Sequence, residues 1–216
     1  AEQEWLGGRP SIGLFSLDKD QNATLAETLQ IGAYSYANPV LSDDGEVMFY
    51  LSDREDNDPE SALDIRNTRV AVSTKSNGQF QQGERFDSND EVSTGYGDSN
   101  VKVAGSDGSY AAVWVRQTED ITENVVPGTA LDDGQQMLQI NSTEIMAAIS
   151  EDGSNWTLEQ LTNNSTPDLA PVVATNGERT VVAWREVSST SADTLTSFDQ
   201  QDAIRYAVCE NGQWIR

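Results

Sequence analysis

The side chains best suited to chemistry in this sequence are carboxylates and tyrosines, gathered in a few short segments. Ser52–Glu60 reads SDREDNDPE, and Asp53, Glu55, Asp56 and Asp58 could offer the hard oxygen ligands that calcium prefers. No defined calcium-loop spacing is matched there. Calcium on Asp53, Asp56 and Asp58 is therefore the one cofactor suggested, against the plainer reading of a solvated acidic loop. Asp98 and Asp168 each precede an apolar strand at corresponding points of a repeat. An acid at that position could bind a cation or a substrate hydroxyl, or cap loop backbone. Two such acids about 5–10 Å apart in a pocket would suit glycoside hydrolysis, with Asp53 as a third acid to test. Tyr34, Tyr36 and Tyr96 lie in loops that precede strands. Tyrosines there suit stacking on a sugar or a partner protein, or packing between sheets. Asp18–Asn22 starts like an EF-hand loop, but Ala23 and Leu29 stand where the turn glycine and closing glutamate belong. That segment reads as a hairpin.

Other chemistry is removed by composition. There is no histidine, which eliminates the Ser-His-Asp triad, the usual zinc sites and the commonest general base. One cysteine, Cys209, excludes an intrachain disulfide. Ser73 and Ser150 hold its place in sister repeats, so a small buried side chain is its expected role. With 36 acids against 13 bases the net charge is −23, a field that repels nucleic acid and anionic membrane. No apolar run approaches a membrane span, so membrane insertion is not expected. Sequons at Asn22, Asn141, Asn155, Asn163 and Asn164 matter only in a source that glycosylates exported proteins.

The elements that must carry these residues repeat. Val70–Phe80 (VAVSTKSNGQF), Ala147–Leu158 (AAISEDGSNWTL) and Tyr206–Ile215 (YAVCENGQWI) each give an alternating strand, a tight Gly turn and a second strand. Ile12–Leu25 is a weaker copy. A second unit alternates with the first: Asn38–Tyr50, Val101–Trp114 and Ala170–Trp184 each give a short strand, an Asp/Asn-rich turn with Gly, and a longer apolar strand ending in an aromatic. Naming the second unit A–B and the first C–D, the order is CD, AB, CD, AB, CD, AB, CD. Helical periodicity is weak everywhere; Thr24–Gln30 and Ser61–Arg69 fall where strand or loop is required.

This order predicts an all-β chain, a β-propeller of four-stranded antiparallel blades, with a β-sandwich as the alternative. The whole of 1–216 is one propeller segment, with repeat units at about 11–30, 38–86, 100–161 and 170–216. That is about three and a half blades. Open sheet edges would remain, so another chain or the remainder of a parent chain is expected to complete the ring. The A–B and C–D turns are short, whereas the B–C and D–A loops are long and share one face, the expected binding face.

Ile149–Trp156, ISEDGSNW, resembles the Asp-box of sialidase-like propellers, matching Ser150, Asp152, Gly153 and Trp156 with one residue fewer between Asp and Gly. The wider repeat resembles the degenerate propeller repeats of secreted or surface-anchored bacterial proteins. In that family the box is a structural turn away from the active site, so the resemblance implies no catalytic residue. A sialidase would need an arginine triad, a tyrosine–glutamate pair and an acid aspartate, and only Gly8-Arg9-Pro10 matches faintly. The expectation is an extracellular or cell-surface module without enzymatic activity, binding a protein or glycan on its long-loop face. A carbohydrate-active hydrolase using paired carboxylates, or the propeller of a larger secreted enzyme, is the alternative.

Overall fold

Three of the predicted turns are set by Asn/Asp-Gly pairs in which both residues take positive φ: Asn77-Gly78, Asp107-Gly108 and Asn211-Gly212. This is the backbone of two-residue hairpin loops whose twist matches the flanking strands. The computed structural model describes residues 11–29, 37–53, 68–86, 97–119, 132–187 and 202–216.

Four antiparallel sheets follow one another along the chain. The first is a hairpin, β1 (Ile12–Leu17) with β2 (Ala23–Leu29). The second runs β3 (Val40–Leu41), β4 (Val47–Asp53), β5 (Thr68–Ser76) and β6 (Gln79–Phe80), with β7 (Glu84–Arg85) also pairing β5. The third is β8 (Asp98–Ser106), β9 (Ser109–Gln117), β10 (Thr143–Ser150) and β11 (Thr157–Gln160). The fourth is β12 (Asp168–Thr175), β13 (Arg179–Glu186), β14 (Ala203–Glu210) and β15 (Gln213–Ile215). Strand order within each sheet follows sequence order, the up-and-down pattern of propeller blades. The chain is thus an all-β partial propeller, a half-blade followed by three blades.

Consecutive sheets bury apolar faces against one another. Between the hairpin and the first full blade, Ile12 and Leu29 meet Met48, Tyr50, Ala71 and Phe80. Between the next two, Val47, Phe49, Leu51 and Val70 meet Tyr110, Ala112, Trp114 and Met146. Between the last two, Val113, Val115, Ile145 and Ala147 meet Val182, Trp184 and Ala207. The aromatics Tyr50, Trp114 and Trp184 therefore all face the preceding blade. Alternation puts their neighbours in sequence toward the following one. Ser73, Ser150 and Cys209 are all buried, as the repeat predicted, and burial pushes the Cys209 thiol up.

The short turns are stitched across blades. Asp44 accepts from the Asp107 N–H (2.9 Å) and the Tyr110 hydroxyl (2.8 Å), and Asp43 accepts from the Gly105 N–H (2.9 Å). Burial raises the Asp44 pKa, but bonds from Ser42, the Glu46 N–H, Tyr110 and Asp107 outweigh it and hold the group down at about 2. Asp18 accepts from the N–H groups of Asp20 and Asn22, so the EF-hand-like segment closes the β1–β2 hairpin.

One element departs from the weak helical periodicity of the sequence. Asp133–Asn141 forms α1, with Asp132 and Gln135 making a reciprocal capping box. None of its residues is buried, and its apolar side chains, Met137, Leu138 and Ile140, are confined to its second half; the Asp-x-x-Gln spacing was its clearest sequence signal.

Candidate functional site

The loop-face ends of the strands hold a line of buried charge. Asp98 begins β8 and Asp168 begins β12, each 0% exposed. Arg69 on β5, Arg116 on β9 and Glu144 on β10 are also buried, at 0–2%. Charged side chains are almost never buried so completely unless they are engaged.

Asp98 is a strut between two blades. Its Oδ1 accepts from Arg116 Nε (2.7 Å) and its Oδ2 from Arg116 Nη2 (2.9 Å), the bidentate geometry that suits guanidinium. Oδ2 also accepts from the Val70 N–H of the preceding blade (2.9 Å). Thr68 completes the joint: its hydroxyl donates to the Asp98 carbonyl (2.7 Å) and accepts from the Asp98 N–H (3.2 Å).

The next joint uses the same backbone position with different side chains. Ile145 stands in β10 where Val70 stands in β5, and the Thr162 hydroxyl accepts from its N–H (2.9 Å). Asp168 accepts from Trp184 Nε1 (2.8 Å) and Asn164 Nδ2 (3.1 Å). The Asn164 N–H donates to Glu144 Oε1 (2.8 Å), so one asparagine spans two carboxylates on neighbouring blades. The Thr162 hydroxyl reaches both acids but has one proton to give. Glu144 Oε2 has no partner among the described residues.

Burial pushes the Glu144 pKa up; bonds from Thr162 and Asn164 pull it down, and the charge of Asp168 raises it further. Burial likewise raises Asp168, against bonds from Thr162, Asn164 and Trp184. A carboxyl whose folded pKa is raised loses stability as pH climbs through that pKa, the opposite sign to Asp44. Glu144→Gln is therefore expected to be more stable than the parent at about pH 7, with the difference vanishing at about pH 4. Urea unfolding at both pH values checks this; equal stabilities at neutral pH would contradict it.

The other sequence-predicted residues fall differently. Asp53 closes β4, and Asp56, Asp58, Tyr34, Tyr36 and Tyr96 lie outside the described residues. Among the described residues no group of three or more His, Cys, Asp or Glu is placed to hold a metal. On the opposite, short-turn face a hollow of about 620 Å³ opens between the last two blades, lined by Tyr110, Asp152, Gly177 and Cys209 among others. In the turn beside it Asp152 accepts from the N–H groups of Asn155 and Ser154, while the Ser150 hydroxyl accepts from the Gly153 N–H. The Asn155 bonds first, then that from Ser154, hold Asp152 well below the usual carboxylate range.

Sequence pattern missed Arg69, Arg116 and Glu144. The available signal was a charge interrupting an apolar strand: Arg116 in SYAAVWVRQ and Glu144 in TEIMAAIS.

No family model matches the chain, and no curated protein matches it. Among solved structures, an α-L-arabinanase of Penicillium chrysogenum overlays at 9% identity and TM-score 0.48, covering 94% of this chain and 56% of that one. An α-L-arabinofuranosidase of Fusarium graminearum overlays at 9% identity and TM-score 0.46, covering 94% and 55%. A thermostable family-43 glycoside hydrolase overlays at 11% identity and TM-score 0.39, covering 94% and 69%. The chain thus spans about half the length of the first two. Likeness at this level bears on no individual residue, and the propeller assignment rests on strand order and the blade-to-blade cores.

Proposed function

We propose that this chain is a non-enzymatic propeller module of an exported bacterial surface or secreted protein, presenting its long-loop face to a protein or glycan. The observation that carries this reading is the condition of the loop-face acids. Asp98 and Asp168 are fully buried and spend their oxygens on hydrogen bonds within the scaffold: Asp98 on Arg116 of its own blade and Val70 of the preceding one, Asp168 on Trp184 of its own blade and Asn164 of the loop before it. Acids so engaged make a rigid base for loops, where recognition residues usually reside. The scarcity of cysteine and the strongly acidic composition are compatible with export. The Ser150–Trp156 turn keeps side chain-to-backbone bonds of the kind an Asp-box hairpin would need. Trp156 packs edge-on against Phe49 of the preceding blade (5.0 Å between ring centroids).

A test pairs binding with turnover. The chain is applied to an array of arabino-, xylo- and sialo-oligosaccharides and assayed on aryl glycosides. The expected result is glycan binding that falls about tenfold or more when Tyr34, Tyr36 and Tyr96 become alanine, with an unchanged unfolding midpoint and no turnover. Turnover abolished by Asp168→Asn in a folded variant would instead favour the hydrolase.

A further inference from the structure

The last blade exposes a face that its sisters bury. Ile204 lies opposite Arg185, one residue past Trp184; Ile145 and Val70 hold the same place relative to Trp114 and Tyr50. Ile145 and Val70 are 0% exposed, whereas Ile204 is 75% exposed. Tyr206, opposite Ala183, is 66% exposed, whereas its counterparts Ala147 and Val72 are 1% and 9%. Ile215 extends the patch onto β15 at 62%. Ion pairs bracket it, Arg179 with Glu210 at the turn end and Arg185 with Asp202 at the loop end. An apolar patch with a charged rim is the anatomy of an interaction surface.

The other end of the arc is complementary in kind. Ile12 and Leu29 of the β1–β2 hairpin pack on the next blade, while Phe15, Leu17 and Leu25 on its far face are 53–69% exposed. The hairpin's buried face already covers β4, β5 and β6 of the first full blade, through Met48, Tyr50, Ala71 and Phe80. A two-stranded hairpin is therefore wide enough to cap a blade in this molecule.

We propose that two copies of this chain dock head to tail, the β12–β15 sheet of one against the far face of the β1–β2 hairpin of the other. The contact continues the blade-to-blade sense of the three interfaces within the chain. Two such heterologous contacts about a two-fold axis close on themselves. The proposal rests on the propeller arrangement and is independent of what the loop face binds. Each copy carries a net charge of −23, so association is expected to strengthen with added salt.

Sedimentation equilibrium of the full chain over a dilution series tests it. The expected mass is twice the 23.5 kDa of one chain. Ile204→Glu with Tyr206→Glu, and separately Phe15→Glu with Leu25→Glu, change only side chains more than half exposed, and each pair should give monomer with an unchanged circular dichroism spectrum. Mixing the two variants should restore a dimer, because one intact contact remains. A monomeric parent, a hairpin variant that stays dimeric, a mixture that stays monomeric, or an open-ended series of higher masses would each overturn the proposal.

Discussion

Asp98→Ala is expected to lower the unfolding free energy by about 3–5 kcal/mol, the usual consequence of leaving one member of a buried ion pair without the other. Arg116, 2% exposed, would lose its bidentate contact with the carboxylate. The Val70 N–H would lose its acceptor in the same step. Replacing both charges, as Asp98→Leu with Arg116→Met, is expected to recover much of the loss, since a buried pair contributes little net stability over a well-packed apolar one. Urea unfolding of the single and double variants measures both effects. A loss below about 1 kcal/mol for Asp98→Ala would show that the joint bears little of the fold.

The second large effect is at Trp114. Its ring is 0% exposed, stacks on Phe86 at 5.5 Å with planes 7° apart, and fills the core between the first two full blades. Trp114→Ala is expected to cost about 3–5 kcal/mol in transfer and cavity terms. Trp114→Phe is expected to cost far less than that, because the indole Nε1 has no partner among the described residues and its loss removes a buried, unsatisfied donor. The contrast with Trp184 is informative. There Nε1 donates to Asp168, whereas beside Trp114 the corresponding acid, Asp98, is taken by Arg116. Thermal or urea unfolding of the two Trp114 variants checks the pair of expectations, and equal losses would contradict the packing argument.

Strand order was legible because it is written in period-two alternation and in Asn/Asp-Gly turns, both local signals. The aromatics at the ends of the B strands were legible as positions but not as an orientation. Tyr50, Trp114 and Trp184 lie five, six and seven residues past their turn glycines, so spacing alone would put Trp114 on the opposite face from the other two. Strand register brings all three to the face toward the preceding blade. The helix α1 escaped notice because its three apolar residues, Met137, Leu138 and Ile140, lie in its second half and none is buried, so no repeating apolar stripe marks it. The buried charges were half legible. Asp98 and Asp168 stand out before apolar strands, but their partners sit within strands and meet them only through cross-strand register and blade packing. Glu144 finds Asp168 through Asn164, a loop residue with no pattern of its own. Such long-range pairing leaves no periodic trace in one sequence.

The most direct test of Asp98 as a blade-to-blade strut is amide hydrogen exchange at Val70, compared between the parent and Asp98→Ala, which removes both acceptor oxygens. In the parent this N–H donates to Asp98 across the joint and sits at a 0% exposed residue, so it should exchange only by global unfolding. In Asp98→Ala it should exchange faster than the amides at the centre of β9, which remain paired within their own sheet. Fast exchange at Val70 in the parent, or a Val70 amide in Asp98→Ala as protected as the centre of β9, would contradict the strut.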